Sequence, residues 1–168
     1  MVLRSHVDMA MAVWPEGAIG KQLDTLARGP VWAEMLDYRC GTGHGVAHVG
    51  SVHEGPAHLN GRNEVEFKPG MIITDEPGYY EEGVMGIRIE NELVCVEAGE
   101  TEYGKFLKFE PVTYCPINLK PVIIEELNAR EIRWINSYHR AVYEKLSPLL
   151  SAEEQSWLRR KCKEISAE

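Results

Sequence analysis

The stretch Thr74-Asp75-Glu76-Pro77-Gly78-Tyr79-Tyr80-Glu81-Glu82-Gly83-Val84-Met85-Gly86-Ile87-Arg88-Ile89-Glu90-Asn91 decides how the chain is read. Its centre, Glu81-Glu82-Gly83, is a turn signal, and the midpoint between Glu76 and Glu90 falls on Gly83. A segment that folds back there as an antiparallel hairpin sets the two carboxylates opposite each other on adjacent strands. Carboxylates held that close repel unless a proton or a cation sits between them. Upstream, His44 in Gly41-Thr42-Gly43-His44-Gly45 offers a third ligand. Together these residues predict a metal site.

Working outward, Met71-Ile72-Ile73 begins a strand that runs into the acidic motif. After Gly86 the pattern alternates: Ile87, Ile89 and Leu93 on one face, Arg88 and Glu90 on the other. Glu92 fits a solvated strand face. Arg88 lies two residues from Glu90, close enough to orient a carboxylate or a substrate carbonyl. The glycine-rich segment Gly41 to Gly55 carries His44, His48 and His53. A histidine in such a loop is by default a hydrogen-bonded loop residue, and His44 departs from that default because of its glutamate partners and flanking glycines. The segment is no phosphate loop, since no Lys-Ser or Lys-Thr follows in place and it opens no helix.

Toward the N-terminus, Met1 to Val13 reads as an uncapped helix with Leu3, His6, Val7, Ala10 and Val13 on one face, ended by Pro15. A second helix is expected over Ala18 to Arg28, closed by Gly29-Pro30, with a short one over Val31 to Met35. Residues 56–69 read as polar loop and Phe106 to Tyr114 as a strand. In the tail, Asn128 with Glu131 and Ser151 with Glu154 are capping-box pairs opening two helices. The stripe Ile132, Ile135, Tyr138, His139, Val142 and Leu146 makes His139 a packing histidine. The expected fold class is α+β, with a sheet-bearing portion over 1–117 and a helical extension over 118–168.

The chain has 168 residues, with 26 acidic against 18 basic ones and no polybasic run, which argues against nucleic acid or an anionic membrane as partner. No apolar run reaches the roughly 18 residues of a membrane span, and Asp8 interrupts the only stretch resembling a signal peptide. The four cysteines, Cys40, Cys95, Cys115 and Cys162, form no Cys-x-x-Cys pair, so a reduced, cytoplasmic protein is expected.

Four motifs in order, Tyr38-Arg39-Cys40-Gly41-Thr42-Gly43-His44-Gly45-Val46, Val52-His53-Glu54-Gly55-Pro56, Thr74 to Tyr80 and Gly86 to Asn91, resemble the aminopeptidase P branch of the pita-bread metallopeptidases. The resemblance covers nearly the whole chain, tail helices included, and is closest to the multidomain Xaa-Pro aminopeptidases. It implies a partial pita-bread fold, with a curved and mostly antiparallel sheet flanked by helices, and release of an N-terminal residue before proline through attack by a metal-activated hydroxide. His44, Glu76 and Glu90 become metal ligands, Glu90 bridging two ions, and Glu76 also serves the nucleophile. His53 contacts substrate or the tetrahedral intermediate, and Arg88 stands behind the ligands. Cys40 and His48 line the substrate pocket, Cys40 replacing a histidine common in the family. One imidazole beside carboxylates favours Mn, with Zn or Co as alternatives.

The family's dinuclear site also needs two aspartates upstream, which Asp8, Asp24 and Asp37 do not match. The chain is therefore expected to be the C-terminal part of a catalytic domain, holding at most one ion, with its activity alone left open, and an unpaired sheet edge favours self-association, a homodimer among the options. The alternatives are an Xaa-Pro dipeptidase (prolidase), a non-catalytic pita-bread module used for binding or assembly, or a plain acidic structural domain.

Overall fold

In the computed structural model, which describes residues 1–166, every named strand pair is antiparallel and four helices accompany the strands. The chain divides at Thr113/Tyr114 into two compact units. The first unit begins with α1 (Val2–Ala10), β1 (Val13–Pro15) and α2 (Gly20–Trp32). Six strands then follow through β2 (Gly43–Val46), β3 (His53–Leu59), β4 (Ile72–Asp75), β5 (Gly78–Glu81), β6 (Met85–Arg88) and β7 (Asn91–Thr101), and β8 (Gly104–Pro111) closes the unit. The main sheet has the order β1-β8-β7-β4-β2-β3, and β5 with β6 forms a separate two-stranded ribbon.

One register runs through both. In β4 and β7, Ile72 pairs with Val94 and Asp75 with Asn91. In the ribbon, Gly78 pairs with Arg88 and Glu81 with Met85. All four pairs are centred on Gly83, whose φ of 72° suits the turn closed by Val84 N–H donating to the Glu81 carbonyl at 3.1 Å. The expected hairpin is therefore present but interrupted, and the interruption falls at Glu76 and Glu90.

The sheet's inner residues follow strand alternation, with Ile73, Leu93, Cys95 and Leu107 fully buried. Phe109 on β8 packs against Trp14 of β1 and Phe67, with ring centroids 4.5 and 5.5 Å away. That packing explains two departures from the expected helices. α1 stops at Ala10 because residues 13–15 pair with β8, which buries Trp14. α2 runs through Pro30 to Trp32 instead of ending at Arg28, because Val31 is buried on its inner face. The expected loop at 56–69 contains most of β3, whose Pro56 is tolerated because β3 is a sheet edge where a missing N–H breaks no ladder.

The second unit holds α3 (Ala129–Leu146) and α4 (Ala152–Lys161). Both capping boxes form: Asn128 accepts from the amides of Arg130 and Glu131 at 2.9 and 3.0 Å, and Ser151 N–H donates to Glu154 at 2.9 Å. Arg159 reaches from α4 to the Tyr143 hydroxyl on α3 at 2.6 Å. His139 is fully buried, and its Nε2 accepts from the Ile117 amide at 3.1 Å.

Candidate active site

The glycine-rich segment enters β2 from a rigid anchor on α2. Arg28 donates to Asp24 at 2.6 Å and to the carbonyls of Tyr38 and Cys40 at 2.7 and 2.9 Å. Its guanidinium also lies 4.2 Å from the Tyr38 ring centre. The Tyr38 hydroxyl bonds Thr42 at 2.6 Å, Thr42 donates to Asp24, and burial pushes the Tyr38 phenol well above its usual range. Beyond this anchor, Gly43 and Gly45 let strands approach where no side chain fits. A Cβ would lie 1.8 Å from the Thr74 carbonyl oxygen at Gly43, and 2.1 Å from that of Glu54 at Gly45.

Between those glycines sits His44. Its main-chain N–H donates to Thr74 Oγ1 at 2.9 Å, and Thr74 donates onward to Glu76 Oε1 at 2.9 Å. Nδ1 of His44 lies 3.0 Å from the Gly45 carbonyl, which can only accept, so Nδ1 carries a hydrogen and Nε2 is the nitrogen left to hold a proton or a metal ion. That Nε2 faces Glu76 Oε1 at 3.0 Å. Two acceptors at this distance need a proton or a cation between them. Glu76 is buried and receives Arg88 Nη1 on its other oxygen at 2.6 Å, and Cys40 lies close enough to Arg88 to act on its charge. The His53 ring lies 4.1 Å from that of His44, centre to centre.

Glu90 joins by charge. Loss of surrounding water and then the negative charge of Glu76 hold its carboxyl above the ordinary range, while Arg88 and His44 pull it back. The geometry thus brings His44, His53, Glu76, Arg88 and Cys40 together and couples Glu90 to them. His48 lies exposed in the connection between β2 and β3, where its amide donates to Glu54 at 3.1 Å. Among the described residues, no three His, Cys, Asp or Glu side chains close into a ready cage. The donor set nonetheless fits a divalent ion: an imidazole nitrogen aimed at a carboxylate oxygen, with a second carboxyl raised by burial and then by the charge of the first.

Sequence reasoning passed over Thr74, which links the His44 amide to Glu76, and His6 on α1, which is fully buried among β4 and β7 groups. The only signal for either was a polar side chain on a buried face.

The fold and this grouping are those of the pita-bread class of metallopeptidase domain. The chain belongs to metallopeptidase family M24: the family's model matches residues 1–97, and that of the C-terminal region of peptidase M24 matches residues 105–165. Among relatives, Aminopeptidase P1 of Arabidopsis thaliana is 42% identical over 98% of this chain and 26% of its own length. The probable Xaa-Pro aminopeptidase P of Coprinopsis cinerea is 43% identical over 95% and 27%. The crystal structure of X-prolyl aminopeptidase from Caenorhabditis elegans, described as a cytosolic enzyme with a di-nuclear active site, matches with a TM-score of 0.90 at 39% identity, covering 98% of this chain and 28% of that one. The Xaa-Pro dipeptidase of Bacillus anthracis reaches 0.54 at 29% identity over 68% and 29%. The chain spans about a quarter of the length of the aminopeptidase relatives.

Proposed function

We propose that this chain supplies His44, Glu76 and Glu90 to the metal centre of an Xaa-Pro aminopeptidase acting on peptides with proline in second position. The observation that carries the reading is His44 Nε2 facing Glu76 Oε1 at 3.0 Å with the Nδ1 hydrogen committed to a carbonyl. The three residues would hold a divalent ion, manganese first and zinc or cobalt next, which when bound polarises a carbonyl and lowers the pKa of water. They are three of the five ligands of a two-ion site, so one ion is the share expected from this chain.

The protein groups divide the remaining work. Arg88 and Thr74 hold the Glu76 carboxylate from its two oxygens. His53, whose ring lies tilted beside that of His44, would contact the substrate carbonyl, and Cys40 and His48 would line the pocket wall. The aminopeptidase reading is favoured over the dipeptidase because the C. elegans match takes in 98% of the chain, the helical unit included, against 68%. A cytoplasmic location is part of the proposal, supported by the description of the C. elegans enzyme as cytosolic. Among the described residues, no helix is long and apolar enough to cross a membrane.

Manganese titration of the chain, with release of the N-terminal residue from an Xaa-Pro-Xaa peptide followed in parallel, tests the proposal. One ion per chain is expected, lost in His44→Ala. No binding at all, or turnover unaffected by that change, overturns the reading.

A further inference from the structure

Every apolar neighbour of His6 on the inner face of α1 packs as expected, but His6 itself is an imidazole at 0% exposure. Its Nδ1 lies 3.2 Å from the Asp75 carbonyl oxygen and 3.0 Å from Asp75 Oδ2. Its Nε2 lies 3.1 Å from Nδ2 of Asn91. The Asn91 amide nitrogen can only donate, so Nε2 accepts and Nδ1 carries the hydrogen toward Asp75, where both nearby atoms are acceptors.

Asp75 and Asn91 are cross-strand partners, the last rung of β4 and β7 before the ribbon. One ring therefore ties both ends of that rung to α1. The next residue along β4 is Glu76, and the preceding residue on the β7 side is Glu90. Asp75 is 0% exposed and Asn91 2%. The ring's hydrogen bonds run to the Asp75 main-chain carbonyl and to Asn91, while the Asp75 carboxyl oxygens are buried with only the ring's proximity to offset their cost, a cost that apolar side chains docking a helix on a sheet would not carry.

We infer that His6 is a positioning residue for the two carboxylates, fixing through Asp75 where β4 delivers Glu76 and through Asn91 where Glu90 enters β7. The inference rests on the reading of Glu76 and Glu90 as ligands. Groups behind metal ligands commonly tune affinity by 10- to 100-fold, so the effect is large enough to measure.

Two substitutions separate the arms of the ring. His6→Asn keeps a donor near the Nδ1 position and loses the Nε2 acceptor; His6→Gln keeps an acceptor near Nε2 and loses the Nδ1 donor. Carbon-13 NMR of the Glu76 and Glu90 carboxyls in the metal-free chain reads position without any metal. The expected pattern is a displaced Glu90 resonance in His6→Asn and a displaced Glu76 resonance in His6→Gln. Manganese affinity should fall about 10- to 100-fold in each. Equal displacement of both resonances in both variants, or none in either, means that His6 only docks α1 and overturns the inference. Asn91→Ser removes the Nε2 partner without touching α1 and must reproduce the His6→Asn pattern; it decides the matter should the His6 variants not fold. A wild-type chain that binds no manganese removes the ligand reading instead, and the NMR pattern still decides the positioning role.

Discussion

Arg88 Nη1 sits 2.6 Å from Glu76 Oε2, while His44 Nε2 faces Oε1 of the same carboxylate at 3.0 Å. One negative group is thus bracketed by a permanent cation and an imidazole nitrogen, and its charge organises the site. Replacing it by its isosteric amide, Glu76→Gln, removes that charge and keeps the shape. Manganese affinity is expected to fall at least tenfold with little change in melting temperature, checked by calorimetric titration and circular dichroism. Unchanged affinity would place the ion elsewhere.

Thr74 is 2% exposed and serves two partners, accepting from the His44 amide and donating to Glu76. In Thr74→Val the His44 amide stays buried without an acceptor, a loss of about 1–3 kcal/mol. Thr74→Ser keeps the hydroxyl and should cost clearly less. Urea unfolding of the two variants side by side gives the comparison, and equal midpoints would mean that the hydroxyl is not what matters.

Gly43→Ala tests the close approach of β2 to β4. With a Cβ 1.8 Å from a backbone oxygen, the strands must separate, and destabilisation on the order of 4 kcal/mol or more is expected. Gly61→Ala, where nothing lies within 4 Å of the added carbon, is the control and should melt like the parent.

His139 makes the second unit sensitive to pH. Burial pushes its imidazole below the ordinary value of 6.5, and its Nε2 already accepts from the Ile117 amide. The unfolded chain takes up a proton near that ordinary value, whereas the folded one takes it up only at lower pH. Stability from this group is therefore full above about pH 6.5 and declines as pH falls through the window below it. Urea midpoints from pH 7.5 down to 5 should drop more steeply for the parent than for His139→Gln. Parallel curves would assign the slope to other groups.

The turn at Gly83 and the register on either side of Glu76 and Glu90 were legible because register and turn chemistry are local and share one centre. The caps at Asn128 and Ser151 were legible for the same reason. Trp14 was not: Ala10 and Val13 keep helical spacing, and only pairing with Leu107, far along the chain, makes residues 13–15 a strand. Pro56 read as a loop because its compatibility with β3 depends on β3 being a sheet edge, a property of the assembled topology. His6 fell on the predicted buried face, but helix periodicity reports burial and says nothing of partners 69 and 85 residues away.

The interrupted register centred on Gly83 also limits how the ribbon can change in length. Residues can be added or removed at the tip, around Glu82 to Val84, without disturbing what lies below. Within the arms, a single insertion or deletion would slide one carboxylate past the other and turn its strand over by one side-chain position. Matched changes, one residue in β5 and one in β6, would keep the register that carries Glu76 and Glu90. The ribbon can thus vary in reach over the site while behaving as a hinge-free ruler, graduated in pairs.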